Sequence, residues 1–128
     1  MSSNYRPESG ARLVVLDRDG VINRESAEFI KSADEWLPLP GSLEAIAALS
    51  RAGFAVVVAT NQSGVGRGLI SSLALEEIHS RMVQGVEQAG GKLAGIFYCP
   101  HRPEDDCSCR KPRPGLLQQI EAHFGCNL

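Results

Sequence analysis

A chain of 128 residues is the size of one domain, long enough to bury about two-thirds of the surface its unfolded form exposes. Thirteen Lys and Arg against fifteen Asp and Glu give a net charge of −2, with 5% aromatics, which argues against a nucleic-acid or membrane surface. No stretch approaches the roughly 18 apolar residues of a membrane span. The start, MSSNYRPESGAR, lacks the apolar core of a signal peptide, so a cytoplasmic chain with reduced, metal-bound or catalytic cysteines is expected.

Residues 1–12 read as a polar tail and 13–128 as one domain. Leu13-Val14-Val15-Leu16 is apolar without alternation, the pattern of a parallel strand buried on both faces. It runs straight into Asp17-Arg18-Asp19-Gly20. Open α/β sheets bind ligands beyond the carboxyl ends of their strands, and both carboxylates fall there. Asp17 suits a nucleophile and Asp19 a general acid and base. On this stretch alone, a turn whose aspartates only bond local N–H groups is equally open. A calcium EF-hand loop is excluded, since Val21 and Ile22 occupy positions that need polar ligands and glycine.

The connection from Val21 to Gly41 has no regular period. Trp36 and Phe29 are expected to pack it down, and it is long enough to cover a site. Ser42 reads as the N-cap of a helix bearing Leu43, Ile46 and Ala47 on one face and ending at Gly53. Phe54 to Ala59 is a second strand, leading into Thr60-Asn61-Gln62-Ser63-Gly64 and a glycine-rich loop that holds Arg67. Leu75, Ile78, Met82 and Val86 mark a helix from Ser71 or Ser72 to Gly90-Gly91. Leu93 to Tyr98 is a third strand. Pro114 opens a last helix with Leu116, Leu117, Ile120 and Phe124, capped by Gly125. This alternation predicts a right-handed parallel α/β sheet, although three strands are few for one.

Thr60 follows the second strand as Asp17 follows the first. Its hydroxyl and the N–H groups of Thr60 and Asn61 suit a phosphate oxygen. Arg110-Lys111 precedes the last helix, where a fixed cation neutralises a transferring phosphoryl group. Taken singly, these are a helix-leading turn and a solvated basic pair. Together with the two aspartates they compose an aspartyl-phosphate site. A phospho-acceptor receiver domain also uses Asp, Thr and Lys at strand ends, but it needs an acidic pair on a separate strand, which this chain lacks.

Cys99-Pro-His101 and Cys107-Ser-Cys109 together make a Cys₃His set for structural Zn²⁺. The C-x-H and C-x-C spacings are not the common one, so a reduced surface loop stays open on spacing alone. Four protein ligands leave no place for water, so zinc here would stiffen the loop ahead of Arg110-Lys111. Cys126 reads as a free thiol, and His79 and His123 as surface or core filler.

LDRDG, VVVATNQSG and CRKPRPG resemble, in order, motifs I, II and III of the haloacid dehalogenase phosphatases. From about residue 13 to 125 the chain resembles one branch, which holds the heptose bisphosphate and histidinol-phosphate phosphatases. The resemblance implies a Rossmannoid parallel sheet with flanking helices. It implies Asp17 as nucleophile, Asp19 as acid and base, Thr60 as phosphate binder, and Lys111 as the motif III cation. It also implies Mg²⁺ on the Asp17 carboxylate and the Asp19 carbonyl, and zinc on Cys99, His101, Cys107 and Cys109. Arg110 is assigned to the distal part of a small phosphorylated substrate and Arg67 to the substrate-binding loop that lines the site, and a monomer is expected. The Gly64–Gly68 loop leans toward a heptose bisphosphate, with histidinol phosphate as the alternative. That branch carries a fourth motif past the point where this sequence stops. The domain is therefore expected to be incomplete at its C-terminus, with Leu13–Leu16 as a sheet edge, a short metal ligand set and little activity.

Overall fold

The computed structural model describes residues 12–26, 29–126 and 128, so the expected tail lies outside the described residues except for Arg12. Three strands form one parallel sheet in the order β1 (Leu13–Leu16), β2 (Ala55–Asn61), β3 (Gly95–Cys99). Leu16 pairs with Val58, and β2 then continues to Asn61, paired with Cys99. The end of β2 thus projects past the end of β1 on the rim where ligands of such sheets bind.

The helices are α1 (Ser42–Arg51), a single turn α2 (Ser63–Gly66), α3 (Ser72–Gln88) and α4 (Gly115–Phe124). Side chains alternate across β2, so Val56 and Val58 face α1 and α3 while Ala55, Val57 and Ala59 face α4. Every β2 residue from Ala55 to Thr60 is buried. Each fully buried valine there contributes about 1.5–3 kcal/mol. On α3 the expected Leu75, Ile78, Met82 and Val86 are all buried.

Several local expectations change. β1 is half-buried rather than buried on both faces, because among the described residues it is an end strand with one neighbour. The N-cap of α1 is Gly41, at φ +81°, and Ser42 instead donates its hydroxyl to the Ile22 carbonyl at 2.7 Å. That bond ties the helix start to the loop after Asp19. On α4, Leu116 and Ile120 are buried while Leu117 is 37% exposed. The connection after β1 is pinned by Trp36, 2% exposed, and carries a 3-10 turn at Ala33–Glu35. The glycine-rich stretch after β2, read as loop, closes into α2.

Candidate active site and metal centre

The chain reverses directly after β1. Gly20 adopts φ +81°, a conformation that side chains with Cβ rarely hold, and the Arg18 carbonyl accepts from the N–H groups of Ile22 and Asn23. Asp17 keeps one carboxylate oxygen on the Arg18 N–H at 2.7 Å and the other on Lys111 Nζ at 3.1 Å. Its side chain remains 43% exposed.

Lys111 arrives from the far end of the chain and is held on three sides. Its Nζ donates to the carbonyl of Ala59, the first β2 residue beyond the β1 pairing, at 2.8 Å. Its N–H donates to Asn61 Oδ1 at 2.9 Å, and Asn61 Nδ2 donates back to the Lys111 carbonyl at 3.1 Å. The Asn61 amide is thus committed to fixing the lysine peptide. Thr60 stands at the rim as expected but is 1% exposed, its hydroxyl accepting from Gln62 Nε2 at 3.1 Å.

Asp19 is surrounded by donors. Arg18 reaches its Oδ1 with Nε at 3.0 Å and Nη2 at 2.8 Å, and Asn23 Nδ2 adds a bond at 2.9 Å. Gln62 Nε2 holds Oδ2 at 2.9 Å. Burial alone raises the carboxyl's pKa, but the Arg18 charge and the bonds from Asn23, Arg18 and Gln62 outweigh it and hold the group below its usual range. Asp19 is therefore ionised at rest.

Arg18 itself is fully buried, beside His79 of α3 and with Gln62 accepting from Nη2 at 3.1 Å. Burial first, then the Arg18 charge, pushes the His79 pKa down to about 3, with Asp19 partly opposing, so the ring is neutral. Reading His79 as filler missed this contact. Arg18 has no assigned role in the sequence, yet it is a fully buried charge. The available signal was alternation, since Asp17 and Asp19 facing the rim send the residue between them inward.

A cleft of about 170 Å³ opens over Asp19, lined by Glu25, Ser26, Phe29, Asn61, Gln62 and Arg110 among others. The structure thus brings Arg110 to the cleft. Arg67 is not among its lining residues. It lies 3.9 Å from Glu104 of the 3-10 turn Pro103–Asp105, on the cysteine loop. Glu25 and Ser26 belong to the connection expected to cover the site but were not singled out in it.

Beyond β3 the chain folds its four sulfur and imidazole donors together, all within 4.8 Å of one another. His101 Nδ1 lies 3.5 Å from Cys99 Sγ and 3.3 Å from Cys109 Sγ, and Cys99 is 3.4 Å from Cys107. Tetrahedral zinc with bonds of roughly 2.0–2.3 Å sets its ligands roughly 3.5–3.8 Å apart, close to most of these separations. Burial pushes the Cys99 thiol up to about 12, whereas hydrogen bonds from Cys99, the Arg110 N–H and Cys109 overcome burial and bring Cys107 to about 7. The soft donor set fits zinc. A Cβ on Gly115 would overlap the Ser108 carbonyl and Cys109 Cα, so only glycine lets α4 start against the cluster. The cluster thus buttresses the segment that carries Lys111. The oxygens around Asp17 and Asp19 suit a hard cation such as Mg²⁺. Cys126 is free, as expected.

Comparison with known proteins shows the family to which this fold belongs. The family model described as polynucleotide kinase 3 phosphatase matches residues 12–127. The chain is similar to the D-glycero-β-D-manno-heptose-1,7-bisphosphate 7-phosphatase of Pseudomonas aeruginosa, 54% identical across 91% of this chain and 65% of the relative. Its counterpart in Neisseria meningitidis serogroup A is 50% identical across 88% of this chain and 60% of the relative. The crystal structure of D,D-heptose 1,7-bisphosphate phosphatase from Bordetella bronchiseptica, complexed with magnesium and phosphate, superposes with a TM-score of 0.89 at 50% identity. It is matched over 91% of this chain and 65% of that one. A haloacid dehalogenase-like phosphatase structure from Mesorhizobium loti gives a TM-score of 0.84 at 30% identity, over 98% of this chain and 63% of that one. The chain thus spans 60–65% of the length of these relatives. Family model, sequence identity and overall superposition concur, and the chain belongs to the polynucleotide kinase 3 phosphatase family of haloacid dehalogenase-like phosphatases.

Proposed function

We propose that the chain carries the catalytic core of a phosphatase that converts D-glycero-D-manno-heptose 1,7-bisphosphate to the 1-phosphate through an aspartyl-phosphate. The observation that carries this reading is the 3.1 Å pair between the exposed carboxylate of Asp17 and Lys111 Nζ at the strand ends. The names of the similar proteins supply the substrate.

Asp17 attacks phosphorus in line, the bond to the sugar oxygen breaks, and Asp19 gives that oxygen a proton. Water then attacks the acyl-phosphate, Asp19 takes its proton, and inorganic phosphate leaves. Asp19 starts ionised, so the proton it donates is taken up as the ester docks, because a nearby like charge raises a carboxylate's pKa. Lys111 neutralises the transferring group, with Asn61 keeping its peptide in register. The β2 terminus at Thr60 and Asn61 borders the phosphate oxygens. Arg110 in the cleft serves the distal phosphate, and Arg67 lies further out, on the loop side. The Asp17 carboxylate and the Asp19 carbonyl would hold Mg²⁺, which would supply further charge neutralisation. Zinc on Cys99, His101, Cys107 and Cys109 is structural. Net charge −2 favours a small phosphate ester over a polynucleotide or membrane partner. Among the described residues no helix is long and apolar enough to cross a membrane. Such a protein works as a cytoplasmic monomer.

The test is a side-by-side assay of the heptose bisphosphate and histidinol phosphate with Mg²⁺. Faster release from the heptose ester is expected. Turnover of histidinol phosphate alone would reassign the substrate, and turnover of neither would remove the reading.

A further inference from the structure

Arg18 places a full positive charge where water does not reach. Such a charge is costly unless several partners satisfy it. Three do: Asp19 at 2.8 Å, Gln62 Oε1 at 3.1 Å and His79 Nε2 at 3.1 Å from Nη1. His79 is 4% exposed and lies 61 residues along the chain, on α3, a helix otherwise occupied with core packing. A guanidinium has only donors, so the His79 Nε2 facing it must carry a bare lone pair, and the ring proton sits on Nδ1. The contact thus selects one tautomer of a neutral ring.

The consequence falls on Asp19. Three donors converge on its Oδ1, more than the two lone pairs of a carboxylate oxygen, while Gln62 alone occupies Oδ2. One lone pair on Oδ2 is left to receive a proton.

We infer that His79 and Arg18 are positioning residues for proton transfer: the α3 imidazole anchors the buried guanidinium, which with Asn23 saturates Asp19 Oδ1 and leaves Oδ2 as the proton-carrying atom. The chain of contacts His79–Arg18–Asp19 couples the middle of α3 to the reactive loop, and Gln62 closes it from the β2 side through Thr60 Oγ1. This inference rests on Asp19 acting as acid and base in the proposed reaction. The anchoring contact itself does not depend on that reaction.

The experiment compares the parent chain with His79→Leu and His79→Gln, each also made on an Asp19→Asn background, with Mg²⁺ present. Substrates are an alkyl phosphate, whose leaving oxygen needs a proton, and p-nitrophenyl phosphate, whose leaving group does not. General acid catalysis is worth about 10²–10⁴-fold, so a misplaced Asp19 should cost about tenfold in kcat on the alkyl ester. KM should stay within about twofold and the aryl ester should lose less than about threefold. His79→Gln, whose carbonyl can accept from Nη1, should restore most of the loss. On the Asp19→Asn background His79→Leu should change little further. Equal losses on both esters, or an undiminished loss on the Asp19→Asn background, would overturn the inference.

A second measurement needs no turnover and stands if His79→Leu fails to fold or the parent hydrolyses neither ester. The ring ¹⁵N shifts of His79 in the parent should show protonated Nδ1 and bare Nε2, and the Arg18 Nε–H should exchange slowly. A protonated Nε2 would break the anchor and the inference with it. A parent chain inactive on both esters yet showing the Nδ1–H tautomer would remove the proposed reaction and keep the anchor.

Discussion

The carboxylate pocket and the cysteine cluster differ in how they meet their own charge. Around Asp19 the protein supplies every counter-group itself, with Arg18, Asn23 and Gln62 holding one carboxylate in a fixed pose. Among the described residues the cysteine cluster has no charged counter-group of that kind, only the Arg110 N–H on Cys107. Its thiols face one another and His101, and two of them are displaced in opposite directions, Cys99 up and Cys107 down. The first region is organised before anything binds, and the second gathers ligands that only a cation can reconcile. Chemistry on a transient phosphoryl group asks for the former, and a permanent brace asks for the latter.

Removing the proposed nucleophile should produce the largest effect and leave the first region's architecture intact. Asp17→Asn is expected to cut turnover by about four orders of magnitude or more. Its unfolding midpoint should stay near that of the parent. Trapping of phosphate on the variant chain, read by mass spectrometry, would assign the nucleophile elsewhere.

The second region should respond the other way. Cys107→Ser, or prolonged chelation, should release the roughly one zinc per chain expected from four protein ligands. Stability should drop by several kcal/mol, since such metal binding is coupled to folding. Elemental analysis with thermal unfolding checks both. Zinc-free protein of unchanged stability would erase the contrast between the regions.

The pH dependence of stability sharpens the comparison within the carboxylate pocket. His79 titrates near 6.5 when unfolded and near 3 when folded, so below pH 6.5 the unfolded chain binds the extra proton. Stability from this group is complete above that value and falls as pH drops toward 3, by at most about 1.4 kcal/mol per pH unit. Asp19, held below its usual range, keeps its full contribution down to about its unfolded value of 3.8 and loses it as pH falls further, so it adds no slope between pH 7 and 5. Urea unfolding at pH 7, 6 and 5 should therefore give a slope that His79→Gln removes.

The smallest effect is expected at the cleft's edge, between the two regions. Arg110→Ala should raise KM for the bisphosphate about tenfold, the ~1.4 kcal/mol of one charged hydrogen bond, and alter small phosphate esters little. A matching loss on both would move Arg110 to the transferring phosphate.

The sequence by itself determined the parallel order of elements, the aspartates after β1 and the Cys₃His set. Each of these is written in neighbouring residues. Apolar runs and helical stripes declare which faces are buried, and the four metal-type donors lie within eleven residues of one another. Tertiary structure alone decided how the site is held. Asn61 latches a lysine 50 residues away, and His79 reaches an arginine 61 residues away, because sheet register and the docking of α3 choose those partners. It also separated Arg110, on the cleft, from Arg67, which turns to Glu104. Residue type alone cannot distinguish two arginines on loops. Which one meets the ligand follows from where the packed elements leave a cleft, and that depends on the whole chain.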